Sequence, residues 1–135
     1  LWVDRLRVMV ARGHALAKHG RVSLEELARH PAVLPGLETF TGQIVRRHFN
    51  AAGLSLELRL ATNYLETLRM MASVGLGWTV LPDFMAGDRL HCLEVTGTSL
   101  SRTLGLVTHR ERSASRGARA FMGLLHAAAT ADARH

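Results

Sequence analysis

The run Thr62-Asn63-Tyr64-Leu65-Glu66-Thr67-Leu68-Arg69-Met70-Met71-Ala72-Ser73-Val74-Gly75-Leu76-Gly77-Trp78-Thr79-Val80-Leu81-Pro82 leaves a chain of this size few ways to fold. Asn63 can cap a helix, and Glu66, three residues on, can reach back as in a capping box. Tyr64, Leu65, Leu68, Met71 and Ala72 recur at helical spacing, so one face is apolar. Gly75 falls where a left-handed closing residue belongs. Gly77 to Leu81 is a short apolar run, and Pro82 stops it because proline cannot donate to a sheet ladder. A helix, a glycine turn and a buried strand in that order predict half of an α/β unit.

The rest of the chain supplies a sheet for that unit. Leu6 to Ala11 reads as a strand turned out by Arg12-Gly13. Ser23 and Glu26 form a second capping-box pattern for a short helix through Arg29, ended by His30-Pro31. Ala32 to Leu34 is a brief strand before Pro35-Gly36. A helix follows over about Gly42 to Ala52, with Thr39 or Thr41 as cap and Gly53 as its close. Ile44, Val45, His48, Phe49 and Ala52 share its apolar face. Leu56, Leu58 and Leu60 alternate with charged residues as a one-sided strand. A turn at Gly87-Asp88 precedes strands at Leu90 to Val95 and Leu104 to Thr108. Arg110 to Arg116 is a charged loop. Ser115 caps a last helix with Ala118, Phe121, Met122, Leu125 and Ala128 on one face, fraying after Ala129. Strands alternating with helices predict an α/β fold: a mostly parallel or mixed sheet flanked by helices.

The 135 residues fit one domain, and 47% hydrophobic with 21% charged residues is ordinary for a globular chain. No apolar run approaches the roughly 20 residues of a membrane helix, which predicts no membrane partner. The chain begins at Leu1, in what reads as a strand, so the expectation is of a piece of a longer protein. The single cysteine, Cys92, sits in an apolar run as a small core residue and suits a reducing cytoplasm. The net charge of +6 is dominated by scattered arginine. Arg46-Arg47-His48 and His109-Arg110-Glu111-Arg112 are short and poor in aromatics, so they read as solvated surface rather than a nucleic-acid stripe.

No catalytic or cofactor constellation emerges. Gly75-Leu76-Gly77 lacks the strand before, the helix after and the third glycine of a dinucleotide fingerprint. The eight histidines, His14, His19, His30, His48, His91, His109, His126 and His135, fall in different elements without metal-ligand spacing. There is no Gly-x-Ser-x-Gly elbow. Glu66 has a complete explanation as a cap partner, and Glu38 and Asp83 stand alone near strand ends. The expectation is therefore no catalytic residue, no metal and no cofactor. What remains are two helix starts that follow strands: Glu38-Thr39-Phe40-Thr41-Gly42 and Thr62-Asn63-Tyr64. Such points offer free N–H groups and the positive end of a helix dipole to an anion, and ligands of open α/β sheets gather there. Short hydroxyl and amide side chains there can orient a small polar ligand, or serve only as caps.

In order and spacing these segments resemble the effector-binding (substrate-binding) domain of LysR-type transcriptional regulators. The likeness runs through Leu6 to Val10 with Gly13-His14-Ala15-Leu16-Ala17, where Ala15 replaces the family's usual proline. It continues through Val22 to Leu27, Val33-Leu34-Pro35, Val45 to Gly53, the helix from Leu65, and Gly75-Leu76-Gly77 through Pro82. Ser115-x-x-Ala118-Arg119-Ala120-Phe121 closes it, with Arg116 where proline is common.

The resemblance implies a type 2 periplasmic-binding-protein-like fold. It makes residues 1–135 a partial effector domain: about 6–110 a second α/β subdomain and 115–129 a closing helix. The N-terminal winged helix-turn-helix and the first subdomain then lie outside this chain. It further implies a small effector, anionic or zwitterionic, bound between subdomains, DNA as partner through the N-terminal domain, a homo-oligomer and a cytoplasmic location. By the same likeness Thr39, Phe40, Thr41, Thr62, Asn63 and Tyr64 contact the ligand, although Glu38-Thr39-Phe40 departs from the Gly-Ser-Gly type of loop common there. Rival readings are a solute-binding protein of the same fold and a small α/β enzyme using Glu66 or Asp83.

Overall fold

The computed structural model describes residues 1–133, so His135 lies outside the described residues. The element order is β1 (Trp2–Ala11), a 3-10 turn (Ala15–Lys18), β2 (Arg21–Val22), α1 (Leu24–Ala28), β3 (Ala32–Leu34), α2 (Phe40–Ala51), β4 (Leu58–Ala61) and α3 (Leu65–Ser73). Then come β5 (Thr79–Pro82), a second 3-10 turn (Asp83–Met85), β6 (Leu90–Val95), β7 (Leu100–Leu104) and α4 (Arg116–Asp132). The chain divides into two compact units: Arg5–Ser101, and Leu1–Asp4 together with the chain from Arg102 onward.

In the larger unit the sheet order is β2-β6-β1-β5. The α/β class with a helix-flanked sheet is as expected, and of the mostly parallel and mixed alternatives the strand directions are mixed. β1 runs antiparallel to β5, with Leu6 opposite Pro82, and antiparallel to β6, with Val8 opposite Leu93. The parallel pairs are β2 with β6 and β3 with β4, plus a bridge from Ala32 to Trp78. Periodicity finds strands one at a time and carries no information about the direction in which a distant strand joins them.

Alternation along β1 builds two cores. Leu6, Val8 and Val10 face one way and meet Leu27 of α1, Val45 and Phe49 of α2, and Trp78. Met9 faces the other way with Leu81, Leu68 and Ala72 of α3, and Val33. Trp78 is fully buried, and its indole N–H donates to the carbonyls of Leu27 and His30, each at 3.1 Å. Its ring stacks on Phe49 with centroids 5.7 Å apart. Each such burial stabilises by about 1.5–3 kcal/mol, and the paired N–H removes the cost of a buried donor.

Local chemistry sets most element ends as expected. Ser23 and Glu26 make both bonds of the capping box, Ser23 N–H to Glu26 Oε2 at 2.7 Å and Glu26 N–H to Ser23 Oγ at 3.1 Å. α2 ends on Gly53 and α3 on Gly75, both at positive φ. At α3 the Gly75 N–H donates to Ala72 O and the Leu76 N–H to Met71 O, a Schellman closure. Gly77 is a packing glycine: a Cβ there would lie 2.5 Å from the Pro31 carbonyl, where β5 meets β3.

Several expectations are corrected. α3 begins at Leu65, and its cap position is Tyr64, with no side-chain cap bond. Asn63 therefore does not cap, and Glu66 pairs with Arg69 at 3.3 Å instead of closing a box. Tyr64 is exposed rather than on the apolar face, as is Ala52 beyond α2. β1 starts four residues earlier than Leu6, at Trp2. The strand expected at Leu104 to Thr108 lies at Leu100–Leu104.

In the smaller unit Arg102 Nε donates to Asp4 Oδ2 at 2.7 Å, and β7 pairs with β1. Ser115 caps α4, its Oγ accepting from the Ala118 N–H at 3.1 Å. α4 holds its helical form to Asp132 instead of fraying after Ala129. Its covered side is Met122, Leu125 and Ala129, while Ala118, Phe121 and Ala128 are exposed. Apolar residues all around a helix do not choose its buried face.

Candidate ligand-binding site

β3 and β4 run parallel, so their carboxyl ends, at Leu34 and Ala61, open on the same side. The loop after β3 turns into α2, and the loop after β4 turns into α3. Thr39 starts α2: its Oγ1 accepts from the Gly42 N–H at 3.1 Å and its hydroxyl donates to the Gly36 carbonyl at 2.6 Å. The choice between Thr39 and Thr41 as cap is thus settled for Thr39, and Thr41 is buried. Phe40 next to it is 62% exposed.

On the second loop the Thr62 N–H donates to the Leu34 carbonyl at 3.1 Å, continuing the strand pairing. The Asn63 Oδ1 accepts from the Gly36 N–H at 3.0 Å, so one amide side chain ties the two loops together. Thr62 Oγ1 accepts from the Tyr64 N–H at 3.4 Å, and Tyr64 itself is 77% exposed. Between the loops lies a hollow of about 320 Å³ lined by Gly36, Leu37, Glu38, Leu58, Ala61, Thr62 and Asn63. The structure thus gathers Thr62 and Asn63 at one hollow. Thr39 spends its hydroxyl on the first loop, and Phe40, Thr41 and Tyr64 are not among the lining residues. Gly36, Leu37, Leu58 and Ala61 line it without having been expected to, and Glu38 does so as a member of the first expected contact loop. Its signal was its place in the loop before the Thr39 cap.

The other reactive residues have structural explanations. Asp83 stands 3.9 Å from Arg7, and Glu66 is held by Arg69. Cys92 is half-buried, and burial pushes its thiol pKa up, away from reactivity. Two histidines from different segments do meet: His14 and His30 touch edge to face at 4.9 Å. His14 Nδ1 accepts from the Leu16 N–H at 3.1 Å. Burial, and then the neighbouring His30, lower its pKa.

The sequence matches the family model of the LysR substrate binding domain over residues 1–130. The chain belongs to that family. No curated protein matches it. Among solved structures it is similar to the effector-binding domain of QuiR in complex with shikimate: TM-score 0.78, 18% identity, 90% of this chain and 59% of that one. It is also similar to the regulatory domain of CcmR from Synechocystis PCC6803 in complex with 2-PG: TM-score 0.77, 18% identity, 94% of this chain and 64% of that one. The C-terminal domain of a probable LysR family transcriptional regulator from Rhodococcus sp. RHA1 is 26% identical at TM-score 0.71, over 93% of this chain and 64% of that one. At 18% identity the first two establish a shared fold. This LysR substrate-binding chain spans less than two thirds of each. Among its described residues, no helix is long and apolar enough to cross a membrane.

Proposed function

We propose that this chain is part of the effector-sensing domain of a LysR-type transcriptional regulator, and that the hollow between its strand-end loops touches a small metabolite. In this reading residues of about 6–110 are the second α/β subdomain and 115–129 belong to the closing helix. The first subdomain and an N-terminal DNA-binding region belong to the rest of the parent protein, which works in the cytoplasm as a homo-oligomer. The effector is anionic or zwitterionic, and the site does no chemistry. It needs only a different affinity for two arrangements of the regulator.

The observation that carries this reading is the Asn63 to Gly36 bond, which holds two strand-end loops around one hollow. Family membership and the ligand-bound neighbours support it. The exposed apolar surface of the smaller unit, Val107 at 99%, Leu124 at 69% and Phe121 at 60%, fits an element that the remainder of the domain covers.

Thr62→Ala and Asn63→Ala are expected to weaken effector binding by the intact regulator about tenfold, since each removes one polar contact. Calorimetry checks this, and unchanged affinity in both variants would remove the site. Asn63→Ala also costs about 1 kcal/mol through the lost Gly36 bond, which a melting control separates from binding.

A further inference from the structure

We infer that the effector carries a positively charged nitrogen, and that Glu38 is the residue that selects it. This rests on the hollow being the effector site and adds the chemistry of its ligand. Among the described residues Glu38 is the only charged one lining the hollow. Its side chain is exposed at the loop surface but lies against the loop. It folds back across Gly36, so that its Cδ and both carboxylate oxygens occupy the space a Gly36 Cβ would take. No described residue makes a hydrogen bond or ion pair with that carboxylate: the ion pairs among the described residues engage Asp83, Glu94, Glu66 and Asp4.

The second loop has a different character. Asn63 has given its oxygen to the Gly36 N–H, which leaves the amide NH2 as the group it can offer. Thr62 Oγ1 accepts from the Tyr64 N–H, which leaves its own proton to donate. The hollow is therefore lined by one unpaired anion and two residues with a neutral donor left to offer. When a cleft closes over a ligand, an unpaired carboxylate loses water, and a ligand that brings only negative charge meets like-charge repulsion. A ligand with an ammonium or amidinium toward Glu38 and an acceptor toward Asn63 and Thr62 satisfies all three groups. An amino acid or an amino-carboxylate of similar size has that pattern, and a simple carboxylate does not.

The test uses the full-length regulator and two sets of probes in thermal-shift and calorimetric titrations. One set is the twenty L-amino acids with putrescine and agmatine; the other is shikimate, succinate and benzoate. At least one nitrogen cation is expected to bind, with Glu38→Gln weakening it tenfold or more, as for loss of a charge-assisted hydrogen bond. Gly36→Ala, whose Cβ displaces the carboxylate while keeping its charge, is expected to weaken the same probe while the fold is retained. Binding by none of the cationic probes, or only by the amine-free acids, overturns the inference. So does a bound amine whose affinity is unchanged in Glu38→Gln. If Thr62→Ala still weakens binding in that case, the site stands and the ammonium assignment falls. If neither variant changes affinity, the site itself is refuted.

Discussion

Thr79 puts a hydroxyl where its surroundings are apolar. It is opposite Met9 in the β1–β5 ladder, fully buried, and its Oγ1 has no hydrogen-bond partner among the described residues. An unpaired buried hydroxyl costs more than it returns, and valine has nearly the same shape. Thr79→Val is therefore expected to stabilise the protein by about 1 kcal/mol, read as a higher urea midpoint at unchanged slope. A lower midpoint would mean that the hydroxyl is satisfied. At this scale the sequence was legible wherever the partner is local. Ser23 with Glu26, Thr39 with Gly42 and Ser115 with Ala118 are each three residues apart. Asn63 was misread as a cap because its partner, Gly36, lies 27 residues away on another loop. Glu38 was legible only as part of its loop: the fold alone shows that its carboxylate lies over Gly36.

Helix α2 shows how an element can reverse a propensity. Glycine inside a helix is less favourable than alanine by about 1 kcal/mol, so Gly42→Ala should stabilise an isolated helix. In the folded chain a Cβ at Gly42 would collide with the Gly36 carbonyl and lie 2.8 Å from the Leu37 Cα, both backbone atoms. Gly42→Ala is expected to destabilise by about 1–3 kcal/mol through overpacking. Gly123→Ala in α4, where a Cβ meets nothing within 4 Å, is expected to stabilise by about 1 kcal/mol. Paired thermal melts with opposite signs would establish the contrast. The same distinction explains which elements could be read. α2, α3, β3 and β6 carry both periodicity and punctuation. β7 was displaced because the stretch Leu104 to Thr108 is more apolar than the residues that actually pair, yet Val107 within it is 99% exposed. Pairing with β1 decides that strand, and no local pattern announces it.

Across the whole molecule, two groups with lowered pKa tie stability to acid. Burial and His30 lower the pKa of His14, so in the window below the ordinary imidazole value the unfolded chain binds more protons than the folded one. Stability is lost as pH falls through that window. The hydrogen bond from the Ser23 backbone lowers the Glu26 pKa, which adds loss in the carboxylate range further down. Urea midpoints are expected to fall from about pH 7 to pH 5, and His14→Gln is expected to flatten that slope while leaving the carboxylate range unchanged. An equal slope in the variant would assign the loss elsewhere. The α/β class was legible at this scale because alternating periods of two and 3.6 survive without any partner. The choice between a mostly parallel and a mixed sheet, and the convergence of the two loops, were not, since both depend on residues far apart in the chain. That convergence has a mechanical side. With the Asn63 amide hydrogen-bonded to the Gly36 backbone, a pull on one loop is shared with the other, and each continues into its own helix. A force applied at one point of the hollow is divided between two rods, α2 and α3, like a pull on a yoke.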